Sequence, residues 1–134
     1  MIVDSSAVLA VILHESEEAR FIDALARAIA PKMSAASYLE IALKIDRKHS
    51  GGPDPLLDET LNDLGIQLVP VTVEQGRVAR DAFNRFGRDH PAKLNFGDCL
   101  TYALAKTSGE PLLFKGNDFD KTDLKLMTFE DDDD

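Results

Sequence analysis

The sequence lacks most of what marks exported, membrane-spanning or disulfide-bonded proteins. A single cysteine, Cys99, stands among 134 residues. It excludes an internal disulfide and suits a reducing cytoplasm. Its neighbours are core-type residues, so it reads as a small buried hydrophobe. The longest uninterrupted apolar run, Ala7 to Leu13, is seven residues, far below the ~20 that span a bilayer. Asp4 occupies the region where a signal peptide carries Lys or Arg, so no export signal is expected. Basic residues are also scarce, 15 Lys and Arg against 24 Asp and Glu, for a net charge of −9. That balance argues against a broad surface that coats nucleic acid. Glu130 and Asp131 to Asp134 supply five of the negative charges, and this tail is expected to be solvated and disordered. A less acidic body remains, and it can still bind RNA where cations neutralise acids at one site.

What is present is an ordinary globular composition, 44% apolar and 29% charged, in a length that suits one domain with a real core. Residues 1–129 are therefore read as that domain. Met1-Ile2-Val3 reads as a short buried strand, and Asp4-Ser5-Ser6 as a helix start. A second helix is predicted over 15–30, with Ala19, Ile22, Leu25, Ala26 and Ile29 at helical spacing, ended by Pro31. Lys32 to Ser34 reads as a brief strand, and Ser34 or Ser37 caps a helix reaching Lys48. The Gly- and Pro-rich stretch 50–55 is a loop. Leu56 to Leu64 suggest a helix stopped at Gly65. A strand follows over 66–71, a helix from Thr72 to Phe86, and a charged loop over 87–94. After a break at Gly97, a strongly apolar helix runs to Thr107. Leu112 to Phe114 form a strand and Leu124 to Thr128 a last edge strand. Short strands alternating with helices mean an α/β fold with a mainly parallel sheet flanked by helices. Ligands of such sheets sit beyond the carboxyl ends of the strands, where the strand order reverses.

Four acids stand where that rim is expected. Asp4 follows the first strand, Asp98 opens the apolar helix, and Asp118 lies in the loop after Leu112 to Phe114, with Phe119 placed to pin it. Glu40 interrupts the apolar arc of its own helix, and an unpaired carboxylate there is costly. Each has an ordinary structural explanation: helix capping for Asp4 and Asp98, a salt bridge for Glu40, turn chemistry for Asp118. Asp120 and Asp123 compete with Asp118. A joint explanation is oxygen coordination of Mg²⁺ or Mn²⁺. At ~6 Å and an effective dielectric of ~20, each carboxylate pair repels by about 3 kcal/mol, so converging acids need cations or protons to offset them.

Four pieces in order, Ile2-Val3-Asp4-Ser5-Ser6-Ala7, Ser37-Tyr38-Leu39-Glu40, Leu94-Asn95-Phe96-Gly97-Asp98 and Leu112-Leu113-Phe114-Lys115-Gly116-Asn117-Asp118-Phe119, resemble the PIN-domain ribonucleases. Within these, the chain resembles the VapC-type toxins of bacterial toxin–antitoxin pairs. The resemblance spans almost the entire chain and implies a three-layer α/β/α domain. It implies Asp4, Glu40, Asp98 and Asp118 as the catalytic acids, with Asp4 and Asp98 as metal ligands and Ser6 orienting a carboxylate or water beside them. Many relatives carry another acid where Asn117 stands here.

The implied chemistry is Mg²⁺-dependent hydrolysis of RNA phosphodiesters in the cytoplasm, with Mn²⁺ able to substitute. Lys44, Lys93 and Lys115 lie near these motifs as candidates for RNA phosphates, with solvated surface charge as their other reading. The implied partners are a small antitoxin that blocks the acidic pocket, with an Arg pairing to its carboxylates, and a second copy in an isologous homodimer. No membrane is involved. A haloacid-dehalogenase-like phosphatase would need Asp at position 6, and a receiver domain an early acidic pair with a mid-chain phosphorylatable Asp. A non-catalytic RNA- or protein-binding module on the same fold is the alternative from another class.

Overall fold

The computed structural model describes residues 1–129; the acidic stretch 130–134, expected to be disordered, lies outside the described residues. Four strands form one sheet, β1 (Ile2–Val3), β2 (Lys32–Ser34), β3 (Gln67–Val69) and β4 (Leu112–Leu113). All pairings are parallel, and the spatial order is β3-β2-β1-β4. The chain therefore steps outward from β1 through β2 to β3, then returns to place β4 on the other side of β1. The reversal falls between β1 and β4.

Such short strands still specify their faces, because consecutive side chains point to opposite sides. Ile2 and Leu112 pack with Ala82, Leu94, Tyr102 and Phe119 on one face. Val3, Met33 and Leu113 pack with Val8, Phe21, Ile41 and Leu61 on the other. The first face is covered by α5 (Val73–Phe86) and α6 (Phe96–Ser108). The second is covered by α1 (Ser5–Ile12), α2 (Glu18–Arg27), α3 (Ala35–Asp46) and α4 (Leu56–Asp63). The result is the three-layer α/β/α arrangement.

Caps set most helix starts. The side chains of Asp4, Ser34, Thr72 and Asn95 each accept a first-turn backbone N–H, which satisfies donors the helix itself leaves open. Ser34, not Ser37, is thus the cap of α3. Gly65, at φ 70°, turns the chain after α4 in the left-handed region open to glycine.

Several elements differ from the sequence expectation: α3 ends at Asp46, and β3 and β4 are shorter than expected. Helix α2 begins at Glu18, because His14 adopts φ 55° and Glu15 N–H returns to Ala10 O, closing α1 with a turn that occupies residues 14–17. It ends at Arg27: Ala30 precedes Pro31 and is biased out of the helical region, and Ile29 lies fully in solvent. Leu124 to Thr128 do not form a strand. Leu126 makes one isolated parallel bridge to Leu112, with Leu112 N–H donating to Lys125 O and Met127 N–H to Leu112 O. Gly97 does not break the chain either. Helix α6 already runs through it, capped two residues earlier at Asn95. No helix among the described residues is long and apolar enough to cross a membrane.

Candidate active site

The four acids line one pocket of about 160 Å³, together with Ser5, Ser6, Leu9, Ile41, Lys44 and Asn95. It opens at the carboxyl ends of β1 and β4, where the strand order reverses and where α/β sheets hold their ligands.

Each carboxylate is held in its own way. Asp4, only 5% exposed, accepts the Ser6 N–H at 3.1 Å on Oδ2 and the Thr101 hydroxyl at 2.7 Å on Oδ1. Thr101 is in turn within 3.0 Å of the Ser37 hydroxyl, and both are buried. Glu40 Oε1 accepts from the Ser5 hydroxyl at 2.8 Å. Its other oxygen lies against the first turn of α6, so a Cβ on residue 97 would stand 2.0 Å from Oε2. Gly97 is there for this close approach.

Asp98 forms a capping box. Its N–H donates to Asn95 Oδ1 at 2.8 Å, and its Oδ2 accepts the Asn95 N–H at 3.1 Å. Capping is thus a real role of Asp98, and it coexists with its place in the pocket. Burial chiefly, and then the charges of Asp118, Asp4 and Glu40, push its carboxyl up to about 6, against the pull of the Asn95 N–H. The neighbours' share of that rise accords with the pocket the four acids line together.

Asp118 is exposed at the pocket's edge. The loop that carries it is pinned from within by Phe119, buried edge-to-face against Phe114 at 5.4 Å. Its competitors face elsewhere. Asn117 and Asp120 line a different cleft, beside Glu17 and Phe129. Asp123 is taken by Tyr102, Lys106 and Arg85.

The Ser6 hydroxyl accepts the Lys115 N–H at 2.9 Å and so ties the β4 exit to α1; among the described residues it has no carboxylate partner. It is the Ser6 backbone that holds Asp4, while Ser5 holds Glu40. The Lys115 ammonium pairs with Glu15 and Glu17 rather than facing the acids, and the Glu15 contact raises its pKa. Lys93, exposed at φ 51° in the loop before α6, does not line the pocket. Lys44 does. Burial pushes the Cys99 thiol up to about 11, with Asp98 adding to it, which removes it as a nucleophile at neutral pH.

Thr101 and Ser37 were not singled out by the sequence reading, although each carries a signal. Thr101 is a polar residue three positions from Asp98, and Ser37 three positions from Glu40. Such spacing puts each pair on one helix face.

The donor set is composed of carboxylate oxygens, which fit a hard divalent cation. Among the described residues, no three His, Cys, Asp or Glu side chains are grouped tightly enough to hold an ion between them.

Comparison with known proteins agrees with this geometry. The PIN domain family model matches residues 1–125. Ribonuclease VapC28 of Mycobacterium tuberculosis is 47% identical over 127 residues, covering 93% of this chain and 96% of its own length. Ribonuclease VapC42 of the same organism is 43% identical over 127 residues, covering 93% and 97%. Among solved structures, the M. tuberculosis VapC20 toxin, described as cleaving the sarcin-ricin loop, superposes with a TM-score of 0.70 at 15% identity over 92% of this chain and 95% of its own. A toxin–antitoxin complex from Klebsiella pneumoniae gives 0.71 at 13% identity over 96% and 98%. At those identities the two structures speak for the fold. An acid-lined pocket at the strand reversal of a four-stranded parallel sheet, joined to this extent of sequence identity, means that the chain belongs to the PIN-domain family and, within it, to the VapC ribonucleases.

Proposed function

We propose that the chain is the toxin half of a toxin–antitoxin pair and that it hydrolyses RNA phosphodiester bonds at the pocket of Asp4, Glu40, Asp98 and Asp118. The observation that carries the reading is that Asp4, Glu40, Asp98 and Asp118 line one pocket at the strand reversal, where burial first and the other three charges next raise the Asp98 carboxyl. A pocket that concentrates negative charge at the mouth of the sheet holds no advantage for folding. It is suited to a cation.

Asp4 and Asp98 would hold Mg²⁺, or Mn²⁺ in its place, with Glu40 and Asp118 adding negative charge to the same pocket. A bound divalent ion supplies polarisation of the scissile phosphate and a lowered pKa for an attacking water. The chain's own part is orientation. Thr101 and the Ser6 N–H fix both oxygens of Asp4, the Asn95 N–H fixes Asp98, and Ser5 fixes Glu40. Lys44, on the pocket wall, offers a charge to an RNA phosphate. No side chain acts as nucleophile.

The names of the VapC relatives and the complex of the same fold from K. pneumoniae support a small antitoxin as partner. We extend the reading to a homodimer and to the cytoplasm, where RNA and a reduced Cys99 coexist.

The test is cleavage of a labelled RNA by the purified chain. Cleavage in millimolar Mg²⁺, loss in EDTA and loss in Asp4→Asn are expected. Cleavage that persists in EDTA overturns the metal-assisted mechanism, and absence of cleavage under all conditions overturns the activity. For the partner, co-expression of the small protein encoded beside this one relieves growth arrest; arrest that persists overturns the pairing.

A further inference from the structure

The first turn of α6 is a ridge between two concavities. Asn95 and Asp98 line the acidic pocket on one side, while Phe96 and Leu100 line a groove of about 670 Å³ against α5 on the other. We infer that this groove binds single-stranded RNA next to the cleavage site, with an unstacked base against Phe96 and backbone phosphates on the cations of α5. The inference rests on the reading of the acidic pocket as an RNA-cleaving site and names how its substrate is held.

Three independent features support this occupant. Phe96 is 82% exposed, with its ring at the rim of the groove and Phe83 of α5 half-exposed opposite. An aromatic ring in that setting is a stacking platform for a base of any identity.

The second feature is Gly76, in the interior of α5 on the groove wall. A Cβ there would meet nothing within 4 Å, and its backbone is ordinary. Alanine would make a steadier helix, so packing gives no reason for glycine at this position. Its effect is to leave the groove open.

The third is charge. Arg77, Arg80 and Asn84 follow one another at helical spacing, Arg80 and Asn84 line the groove, and Arg88, beyond the end of α5, lines the adjoining cleft with Phe83 and Asn84. Arg77, Arg80 and Arg88 are exposed and, among the described residues, carry no ion pair, whereas Arg85 is taken by Asp81 and Asp123. Glu74, Asp81 and Asp89 are the nearby acids in sequence, and Asp81 is paired with Arg85. In a chain of net charge −9, a stripe of unpaired guanidinium groups complements a polyanion. A second copy docked through the same face would set these arginines against each other.

The experiment is fluorescence anisotropy of a labelled, unstructured RNA oligonucleotide with the full chain in EDTA, over a range of salt. Phe96→Leu keeps apolar bulk and removes the aromatic face; affinity falls about tenfold. Phe96→Tyr restores it. Arg80→Gln flattens the dependence of log affinity on log salt by about 0.7, one phosphate contact on a single strand. Gly76→Leu fills the groove and weakens binding as Phe96→Leu does. A parent that cleaves RNA while Phe96→Leu and Arg80→Gln bind it unchanged overturns this surface and leaves the activity standing. Sedimentation showing that Phe96→Leu dissociates a dimer without altering RNA affinity assigns the groove to a second copy and overturns it likewise. A parent that neither binds nor cleaves RNA removes both readings.

Discussion

Thr101 and Asp4, 97 positions apart in sequence, are joined by a hydrogen bond of 2.7 Å between two buried side chains. The bond links the middle of α6 to the end of β1 and leaves the Asp4 carboxylate with a fixed direction. A carboxylate this buried needs its donors, since a hydrogen bond to a charged group contributes roughly 1.5–3 kcal/mol. Thr101→Val keeps the shape and removes the hydroxyl. It is expected to destabilise the chain by about that amount and to depress RNA cleavage, while Thr101→Ser retains both. Denaturant melts and cleavage rates on the three proteins check this; a Val variant as stable and active as the parent removes Thr101 from the site.

Gly97 and Glu40 give a prediction in which stability and activity part. A methyl group on residue 97 collides with the Glu40 carboxylate, and that carboxylate is the far end of a flexible side chain that can swing away. Gly97→Ala gains helix propensity, up to about 1 kcal/mol, and loses the Ser5–Glu40 hydrogen bond. The expected variant melts within a few degrees of the parent and cleaves RNA at least tenfold more slowly. Equal cleavage means that the position of Glu40 is immaterial to the chemistry.

Acid stability depends on a cluster far from the pocket. Burial raises the Asp123 carboxyl, but the Tyr102 hydroxyl at 2.6 Å, Lys106 at 3.0 Å and Arg85 at 3.3 Å outweigh it and hold the group at about 2. With an unfolded value near 3.8, the unfolded chain takes up this proton first. The contribution is complete above pH ~4 and is lost as pH falls toward ~2. Because Asp123 is about one-third exposed, solvent screening keeps the contribution under about 1 kcal/mol. Asp123→Asn should melt below the parent at pH 5, with the gap closing by pH 2. A gap that does not change with pH shows that the carboxylate charge contributes nothing.

These sites also show which parts of the structure were readable from sequence. The acids were visible because each stands at a boundary: Asp4 after a strand, Asp98 at a helix start, Asp118 after another strand. Glu40 stood out because it breaks an apolar pattern. Caps such as Ser34 and Thr72 were equally local. Gly97 was misread as a break because the reason for it lies in α3, 57 positions away in sequence. Thr101 stayed hidden because its partner is the end of β1. The role of Ser5 was hidden for a related reason: Ser5 and Ser6 sit one helical step apart, and only the packing of α3 and the β4 exit decides which hydroxyl meets Glu40. Ile29 matched the helical period and still ended in solvent, since Pro31 releases the chain before the period can place it.

Asp98 carries two roles at once, and a single substitution separates them. As the acid of a capping box it accepts the Asn95 N–H at 3.1 Å, which an amide oxygen can also accept. Asn at this position loses only the charge–dipole part of the cap, under about 1 kcal/mol. As one of four mutually repelling carboxylates it is held up to about 6 by burial first and by its neighbours next, so its negative charge at neutral pH works against the metal-free fold. Removing that charge relieves Asp4, Glu40 and Asp118. Metal-free Asp98→Asn should therefore melt at or above the parent temperature in low salt. Mg²⁺ should reverse the order, since a ligand that binds only the folded state raises the melting temperature and the neutral amide is the poorer donor to it. RNA cleavage by Asp98→Asn should fall by orders of magnitude in the same buffer. Paired melts with Mg²⁺ and with EDTA, set beside cleavage rates, decide between the roles. A variant that melts lower than the parent without metal, gains as much from Mg²⁺ and cleaves RNA as fast leaves Asp98 as a helix cap alone.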